Sequence, residues 1–491
     1  MIILYNPWST PSPKKPLPMS LLAVASMLPP DAYTIVDANL YGNGDDPVDA
    51  MVRIGREQVL TAIAVTVMPG PQLLHAVADC RRLKQALPSV PIVWGGYFPS
   101  QHAATCLREP YVDICVRSQG EQTFRELVDV LTRGGALSGV AGLSYREDGH
   151  VRHNPRRPLT PPDSLPEWPY DRVPMTRYLH HHYLGRRVAS HHSSFGCPFA
   201  CNFCAVVGMS SQRWLPESPA RMERVTSRFC QEYGADALQF HDMDFFVSES
   251  RTAEFADRIA RFNIRWWALG RVDELMRYHD TTWHKMRQSG LTMVFCGAES
   301  GSDAVLARMN KGGRASASLT LELARRAKAF GIVPEFSFVL GNPPDAMADT
   351  EATLRFVREL KTINHEAEII LYTYTPVPVD GTLYNEARAL GFRFPETLDE
   401  WTSGVWPAFA LRRDVTAPWL NGSVRTRVRD FESVLNAYYP TVTDLRLRGW
   451  RRAVLRTLSG WRYRTGTYAY PVELNLLQKI FRYQRPETTG F

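Results

Sequence analysis

The segment that organises this chain reads Phe195-Gly196-Cys197-Pro198-Phe199-Ala200-Cys201-Asn202-Phe203-Cys204. It carries three cysteines in a Cys-x₃-Cys-x₂-Cys pattern on one short loop. Soft thiolate ligands suit iron–sulfur clusters or zinc. Three thiolates can hold three irons of a [4Fe–4S] cluster and leave the fourth iron open to chelate a substrate-like cofactor. We therefore predict a [4Fe–4S] cluster on Cys197, Cys201 and Cys204.

A zinc site is the alternative for this loop. It would require a fourth ligand from elsewhere in the chain, such as His191, His192 or Cys230. Zinc sites usually pair their ligands as Cys-x₂-Cys. Cys201 and Cys204 have this spacing, but Cys197 and Cys201 are separated by three residues. We therefore favour the cluster.

The loop directly follows the first of six short apolar runs, each followed by a helical pattern of about ten or more residues. Six βα units in succession predict a partial TIM-like barrel over residues 188–390. The predicted barrel strands are Val188–Ser194, Ala237–His241, Ile264–Leu269, Leu291–Cys296, Val333–Leu340 and Ile369–Thr375.

Residues 1–150 show the same alternation, with a helical pattern from Leu73 to Leu87 between two of the runs. This predicts an α/β domain with a doubly wound parallel sheet, whose ligands bind beyond the carboxyl ends of the strands. Residues 151–187 are rich in Pro, Arg and His and predict a linker, and residues 391–491 predict a helical region. The predicted strands of the first domain are Ile2–Tyr5, Tyr33–Asp37, Ala62–Val67, Pro91–Gly96 and Val112–Val116.

The composition is that of a globular protein of two or three domains, with 491 residues, 44% apolar and 22% charged. No stretch approaches the roughly 18 apolar residues that a membrane helix needs, so we expect no signal peptide and no membrane span. The eight cysteines are mostly scattered, which is not a secreted disulfide framework. We expect a cytoplasmic protein.

The net charge of +7 resides at the carboxyl end, because residues 444–491 hold ten Lys or Arg and three acids, 10 − 3 = +7. The pattern from Leu445-Arg446-Leu447-Arg448 to Leu458 is basic and amphipathic. It could contact the inner face of an anionic membrane or a lipid-like substrate, or be an ordinary solvated face. No base-reading module is present, so we expect no nucleic acid partner. The run His180-His181-His182 is interpreted as a surface loop and His191-His192 as barrel lining.

The cysteine loop and the segments at the barrel strands resemble the radical SAM superfamily, and specifically its cobalamin-binding branch, over about residues 1–390. That branch includes the anaerobic magnesium-protoporphyrin monomethyl ester cyclase and class B methylases. The resemblance implies that Phe203 lies against the adenine of S-adenosylmethionine (SAM). It also implies that Glu299 and Ser300 contact the ribose and the amino-acid end of SAM. Asp242 is the first candidate to meet the ammonium group of SAM, and Asp244 is the second. The alternative for Glu299 and Ser300 is a strand end and helix cap with Ser302 as the capping residue.

The resemblance to the B12-binding domain rests on Ala64-Val65-Thr66, Trp94-Gly95-Gly96-Tyr97-Phe98-Pro99 and Gly120-Glu121-Gln122-Thr123-Phe124. The sequence departs from the Asp-x-His-x-x-Gly signature, since Asn39 stands where the histidine would be. In the binding interpretation Thr66, Gly95, Gly96, Gly120 and Glu121 line the nucleotide tail of cobalamin. In the alternative they are ordinary turn and cap residues.

The implied function is reductive cleavage of SAM at the cluster, supported by a reductant such as flavodoxin or ferredoxin, and methylation of an unactivated carbon of a small-molecule or lipid-like substrate. The second choice is an oxidative cyclase or oxidase of tetrapyrrole or lipid metabolism. A methylthiotransferase should show a second cysteine triad, and Cys80, Cys106 and Cys115 lie in the wrong setting for one. A non-catalytic corrinoid or metal sensor would not need the Glu299-Ser300 motif.

Overall fold

The computed structural model describes residues 1–12, 14–42, 44–312, 314–412, 416–444, 447 and 449–481. Leu445, Arg446 and Arg448 of the basic pattern therefore lie outside the described residues. The strands are β1 (Ile2–Asn6), β2 (Tyr33–Asp37), β3 (Ala62–Thr66), β4 (Ile92–Gly95), β5 (Ile114–Val116), β6 (Leu143–Glu147), β7 (His150–His153), β8 (Val188–His191), β9 (Ser194–Gly196), β10 (Trp214–Pro216), β11 (Ala237–Phe240), β12 (Arg265–Arg271), β13 (Leu291–Glu299), β14 (Val333–Leu340) and β15 (Glu368–Thr373).

Helices connect these strands and form the carboxyl-terminal region. None of the helices in the described part of the chain combines the length and apolar character needed to cross a membrane. The helices are α1 (Met19–Ala25), α2 (Pro47–Glu57), α3 (Pro71–Ala86), α4 (Tyr97–Leu107), α5 (Glu121–Arg133), α6 (Val206–Ser210), α7 (Pro219–Tyr233), α8 (Glu249–Ile259), α9 (Val272–Arg277), α10 (Asp280–Gln288), α11 (Asp303–Arg308), α12 (Ala317–Ala329), α13 (Ala346–Ile363), α14 (Thr382–Ala389), α15 (Leu398–Trp401), α16 (Trp406–Ala410), α17 (Gly422–Tyr438), α18 (Trp450–Thr465) and α19 (Val472–Phe481).

The first sheet has the strand order β2-β1-β3-β4-β5-β6-β7. Its first five strands are parallel, as predicted, because near-continuous apolar runs such as Ala62–Thr66 are buried on both faces. The antiparallel pair β6 and β7 extends the edge and was not predicted. Its short, half-polar strands carry no strong apolar run.

The second sheet is an open six-stranded partial barrel with the order β15-β14-β13-β12-β11-β8, and all its strands are parallel. All six predicted barrel strands are present, so the predicted α/β fold class is confirmed. Alternation along the strands turns Leu238 and Phe240 to the outer helices and Gln239 to the inside.

The linker and the carboxyl-terminal region cover the open side of the barrel. His180 of the linker forms a bridge with Val188 on the edge strand β8. On the opposite edge, Thr443 donates from its amide and its hydroxyl to Glu368 of β15, at 3.0 and 2.8 Å. The gap between the first and last barrel strands is therefore closed by segments that do not belong to the barrel.

Candidate cluster and cofactor site

The cysteine loop begins at the end of β9, which pairs antiparallel with β10. Gly196 adopts φ +82°, and a Cβ at this position would lie 2.2 Å from the carbonyl oxygen of Arg213. Only glycine fits such a backbone and such a contact. This small hairpin, absent from the prediction, therefore sets the direction in which the loop leaves the barrel.

The three cysteines of the loop form no disulfide bond; Cys201 is buried, while Cys197 and Cys204 are half-buried. Burial raises the pKa of the Cys197 and Cys204 thiols, and the neighbouring cysteines raise it further. Because the thiolate is the ligand, the loop needs a positively charged partner to hold all three sulfurs deprotonated. The irons of a cluster fit this requirement.

The structure bears on one of the candidate fourth ligands of a zinc site. Within the described ranges, no three His, Cys, Asp or Glu side chains converge on one point as the ligands of a single ion would. His191 is buried instead between the hydroxyl of Tyr170, at 2.7 Å, and Glu217, at 2.9 Å. It faces the outer helices, so its interpretation as barrel lining was wrong. In a cubane each thiolate binds a different iron, so its sulfurs need not surround one ion.

Backbone contacts fasten the loop to the segment that follows α11. Asn202 donates from its amide to Met309 O at 3.1 Å and from its side chain to Arg308 O at 2.7 Å. Asn310 donates in return to Ala200 O at 3.0 Å. These bonds hold the cysteines beside the end of β13, where Glu299 lies.

Arg271, at the end of β12, is a site residue that the sequence analysis missed. Its guanidinium lies 3.4 Å from Cys201 Sγ and forms two 3.0 Å bonds with Asp273. It also lies 3.7 Å from the centre of the Phe199 ring. The available signal was an Arg-x-Asp sequence at the end of a barrel strand, which is weak without the fold.

Glu299 and Lys311 form a buried ion pair next to the loop. Glu299 has φ +65° at a register shift between β13 and β14, and this turns its carboxylate toward Lys311. Lys311 Nζ lies 5.8 Å from the centre of the Phe203 ring. The structure therefore brings Glu299 and Phe203 together, with Lys311 between them.

Ser300 does not join this group. It is fully buried, and its hydroxyl accepts from the Ser302 amide at 3.1 Å and lies 3.3 Å from Thr353 Oγ1. Ser302 occupies the N-cap position of α11 without a side-chain capping bond. In this structure Ser300 is therefore a turn residue, and its contact with SAM stays a prediction.

The carboxylate of Asp242 is also engaged in hydrogen bonds with neighbouring residues. Its oxygens accept from the Ser193 amide and hydroxyl, both at 2.6 Å, and from the Ser194 hydroxyl at 3.0 Å. These bonds fix the corner between β8 and β9. A fully buried carboxylate is stabilised by the nearest donors, and the contact of Asp242 with the SAM ammonium group stays a prediction.

Asp244 is the carboxyl group that remains available. It is fully buried, and no N–H or hydroxyl group of the described residues donates to it; its neighbour is the carboxyl group of Glu274, with which it can share a proton. Burial raises its pKa to about 6, although Arg271 and Lys311 act in the opposite direction. Burial and the neighbouring Asp244 raise the pKa of Glu274, so the two carboxyl groups form one titrating pair. An unsatisfied buried carboxyl of this kind fits a cationic ligand group.

The carboxyl edge of the first sheet lies against the same loop. Gln101 of α4 donates to Ala205 O at 3.0 Å, and the Ser118 hydroxyl donates to Met209 O at 2.6 Å. Burial, with a smaller contribution from the Cys204 thiol, raises the pKa of Tyr97, which follows Gly95 and Gly96. The turns after β4 and β5 therefore face the cysteines.

The residues expected to hold cobalamin lie at strand ends, in turns or at helix starts along this edge. Gly96 adopts φ +95° after β4, and Thr66 at the end of β3 shares a 2.8 Å hydrogen bond with Ser20. Gly120 and Glu121 begin α5, and burial raises the pKa of Glu121. These positions agree with both interpretations, cobalamin binding and an ordinary turn or cap role.

The side-chain oxygen and nitrogen of Asn39 are both engaged in hydrogen bonds. Its side-chain oxygen accepts from the Ser9 amide at 2.9 Å and from the Ser9 hydroxyl at 3.0 Å, and its nitrogen donates to Asp37 at 2.9 Å. It is 2% exposed. This position therefore supplies no ligand to a cobalt ion.

Two family models match the chain: the B12 binding domain over residues 12–128 and the radical SAM superfamily over residues 192–357. An uncharacterized methyltransferase of Pyrococcus horikoshii is 33% identical over 55% of this chain and 58% of its own. The anaerobic magnesium-protoporphyrin IX monomethyl ester cyclase of Synechocystis is 27% identical over 48% of this chain and 47% of its own. The chain thus spans about half of the length of these curated relatives.

A solved structure shares the fold over nearly the whole chain. It is the radical SAM methyltransferase TsrM from Kitasatospora setae with cobalamin and a [4Fe–4S] cluster bound, with a TM-score of 0.68, 15% identity and 98% coverage of both chains. Together with the two matched domains, this confirms the resemblance found in the sequence. The chain therefore carries a segment that matches the B12 binding domain, followed by a segment that matches the radical SAM superfamily.

Proposed function

We propose that this protein is a cobalamin-dependent radical SAM enzyme that methylates an unactivated carbon of a small-molecule or lipid-like substrate. One observation carries the proposal. Three thiols without disulfide partners lie at the carboxyl edge of the barrel, and the glycine turns of the B12-type sheet face them from the other side. This arrangement supports two cofactors that share one space between the sheets.

The residues have distinct proposed roles. Cys197, Cys201 and Cys204 hold the cluster, while Phe203 packs against the adenine of SAM. Glu299, held by Lys311, accepts from SAM hydroxyl or amino groups. Asp244 replaces Asp242 as the acceptor for the SAM ammonium group, because no N–H or hydroxyl group of the described residues donates to its oxygens. When bound, the cluster and SAM supply a radical and cobalamin supplies a methyl group.

For cobalamin we propose that Thr66, Gly95, Gly96, Gly120 and Glu121 lie along the nucleotide tail. Asn39 is saturated by Ser9 and Asp37, which supports binding without a protein ligand below the cobalt. The spectrum of bound cob(II)alamin by electron paramagnetic resonance should therefore lack splitting from a protein nitrogen. Such splitting would contradict this part of the proposal.

The proposal is tested by anaerobic reconstitution with iron, sulfide and hydroxocobalamin, followed by SAM and dithionite. The wild type should hold about four irons per chain and form 5′-deoxyadenosine. The triple variant Cys197→Ala/Cys201→Ala/Cys204→Ala should lose both. Cys230→Ala, a half-buried cysteine on α7, is the matched control and should keep both. SAM cleavage by the triple variant would contradict the assignment of these three cysteines as cluster ligands.

Oxidative cyclisation is the second candidate, and the similarity to the Synechocystis cyclase supports it. Corrinoid content and the fate of a deuterated SAM methyl group separate the two reactions. Transfer of the label to a product favours methylation. Iron and SAM cleavage with no label transfer favours oxidation or cyclisation.

Two partners complete the proposal. A flavodoxin or ferredoxin would supply the electron that dithionite replaces in the test. The second partner is an anionic membrane surface at α18 and α19, where Trp450, Trp461, Leu476 and Ile480 are 66%, 53%, 59% and 63% exposed among arginines. Co-sedimentation with phosphatidylglycerol vesicles, but not with phosphatidylcholine vesicles, would support this contact. Loss of binding in Trp450→Ser/Trp461→Ser is expected.

A further inference from the structure

A lysine from the first sheet reaches the inside of the barrel. The connection between β1 and α1 carries Lys14, whose amide donates to the Ser12 hydroxyl at 3.1 Å, while the Ser12 amide donates to the Thr10 hydroxyl at 3.1 Å. These local turns direct Lys14 Nζ to within 3.4 Å of the side-chain oxygen of Gln239 on β11. Lys14 and Gln239 are 225 residues apart in the chain, so only the docking of the two sheets creates this contact.

Gln239 lies on the inner face of the barrel wall. Its neighbours Leu238 and Phe240 belong to the outer core, and its register partner across the sheet is Trp267. Trp267 donates to Glu335 of β14, which places Glu335 on the same inner face. Lys14, His241 and Glu335 keep accessible surface although protein encloses them. Part of each side chain therefore remains open to a small ligand group.

Within the described ranges of the chain Lys14 forms no direct ion pair, although the carboxyl group of Glu335 is near enough to interact with its charge. No acidic oxygen of the described residues lies within 4 Å of Lys14 Nζ, and its hydrogen-bond partner is a neutral amide. His180 Nε2 is buried beside it without a hydrogen-bond partner in the described part of the chain. An enclosed cation without a close counter-ion destabilises the folded state. A bound anion would remove that destabilisation.

The protonation states of the neighbours agree with this picture. Burial and the charge of Lys14 lower the pKa values of three neighbouring histidines. The pKa of His180 falls to about 3 and that of His182 to about 4. The pKa of His241 is lowered by the same two causes. Burial, with the nearby Glu368, raises the pKa of Glu335 to about 8. Burial lowers the pKa of Lys14 to about 8, so it stays mostly charged at neutral pH. The surroundings of Lys14 are therefore mostly neutral there.

We infer that Lys14 binds an oxyanion of the substrate, a carboxylate or a phosphate-type group, inside the barrel, with His180 and His241 as neutral hydrogen-bonding neighbours. That the ligand is the substrate rests on the proposed function. The binding of an oxyanion rests only on the geometry of Lys14. The two sources of the oxyanion are distinguished by the probes used below.

The test compares the wild type with Lys14→Met and Lys15→Met, all reconstituted with cluster and cobalamin. Lys15 lies in the same connection and forms no ion pair with the residues that the structure describes, so it is the matched control. Thermal midpoints are measured in sodium chloride, sodium acetate and sodium phosphate at equal ionic strength and pH. Anion binding to the folded state raises the midpoint, and general salt effects cancel between variants.

In chloride, Lys14→Met should melt at or above the wild-type temperature, because it removes an uncompensated charge from a functional site. Acetate or phosphate should raise the midpoint of the wild type and of Lys15→Met more than that of Lys14→Met. A gain in acetate alone indicates a carboxylate, and a gain in phosphate alone indicates a phosphate-type group.

Two results would overturn the inference. One is an equal response of all three proteins to both anions. The other is a lower midpoint or failed folding of Lys14→Met in chloride, which would make Lys14 a structural residue held by Gln239. Neither readout uses SAM cleavage, so an inactive wild type would count against the proposed function and leave this inference standing.

Discussion

At the scale of single residues, the ion pair between Glu299 and Lys311 is the part of the candidate site most sensitive to charge. Both side chains are buried, at 6% and 5% exposure. A Cβ on the neighbouring Gly297 would lie 2.2 Å from Glu299 Oε1 and 2.8 Å from Lys311 Nζ. Gly297 therefore allows the pair to form against the backbone, and a larger residue there would displace the two charged groups.

Lys311→Met should destabilise the protein by about 3–5 kcal/mol, because it leaves Glu299 buried without its counter-charge. The matched control is Lys285→Met, which removes an exposed pair with Asp257 and should cost at most about 1 kcal/mol. Urea unfolding of both variants measures the difference. Equal midpoints for the two would show that Glu299 finds another partner.

At the scale of elements, β14 carries a carboxyl group on the inner face of the barrel. Glu335 accepts from Trp267 on β12, and its register partner on β15 is Glu368. Burial and the neighbouring Glu368 raise the pKa of Glu335 from 4.5 to about 8. The strand thus places a proton inside the barrel at neutral pH.

This raised pKa predicts a pH-dependent stability. Between about pH 4.5 and about 8 the folded state keeps a proton on Glu335 that the unfolded chain has lost. Its contribution to stability is therefore full below that window and falls as the pH rises, by up to about 1.4 kcal/mol per unit. Glu335→Gln keeps an acceptor for Trp267 and should flatten the profile.

Urea unfolding at several pH values, on the wild type and on Glu335→Gln, measures this effect. Lys14, with its lowered pKa, acts in the opposite direction only above about pH 8, so it does not mask the fall. Parallel profiles for the two proteins would mean that Glu335 is ionised in the folded state.

At the scale of the whole molecule, the carboxyl-terminal region joins the first sheet to the barrel. Trp401 of α15 packs edge-on to Phe98 of α4 at 5.3 Å and stacks with Phe394 at 5.8 Å. Trp419 donates to Gly341 O, after β14, at 2.9 Å. One region therefore contacts both sheets and fixes how their carboxyl edges meet.

Trp401→Ala should cost about 3–5 kcal/mol, because the ring is 6% exposed and its loss leaves a cavity at this junction. Trp461→Ala, which removes a ring that is 53% exposed, should change stability by no more than about 0.5 kcal/mol. Thermal or urea unfolding compares them. A small effect of Trp401→Ala would mean that the junction repacks without this ring.

The sequence by itself determined the two parallel sheets, because runs such as Ala62–Thr66 and Val333–Leu340 signal buried strands locally. It also determined the cluster loop as a candidate, because the spacing of three cysteines is a local property. The β9–β10 hairpin and the β6–β7 edge escaped prediction, since short strands with few apolar residues give no such signal.

Only the tertiary structure decided which polar residues remain available to ligands. Asp242 and Asp244 are two residues apart, yet Asp242 meets the hydroxyls of Ser193 and Ser194 while Asp244 meets no donor among the described residues. Arg271 reaches Cys201, and Lys14 reaches Gln239, only because separate elements dock there. Hydrogen bonding and desolvation depend on neighbours that are distant in the chain, so residue order alone cannot assign them.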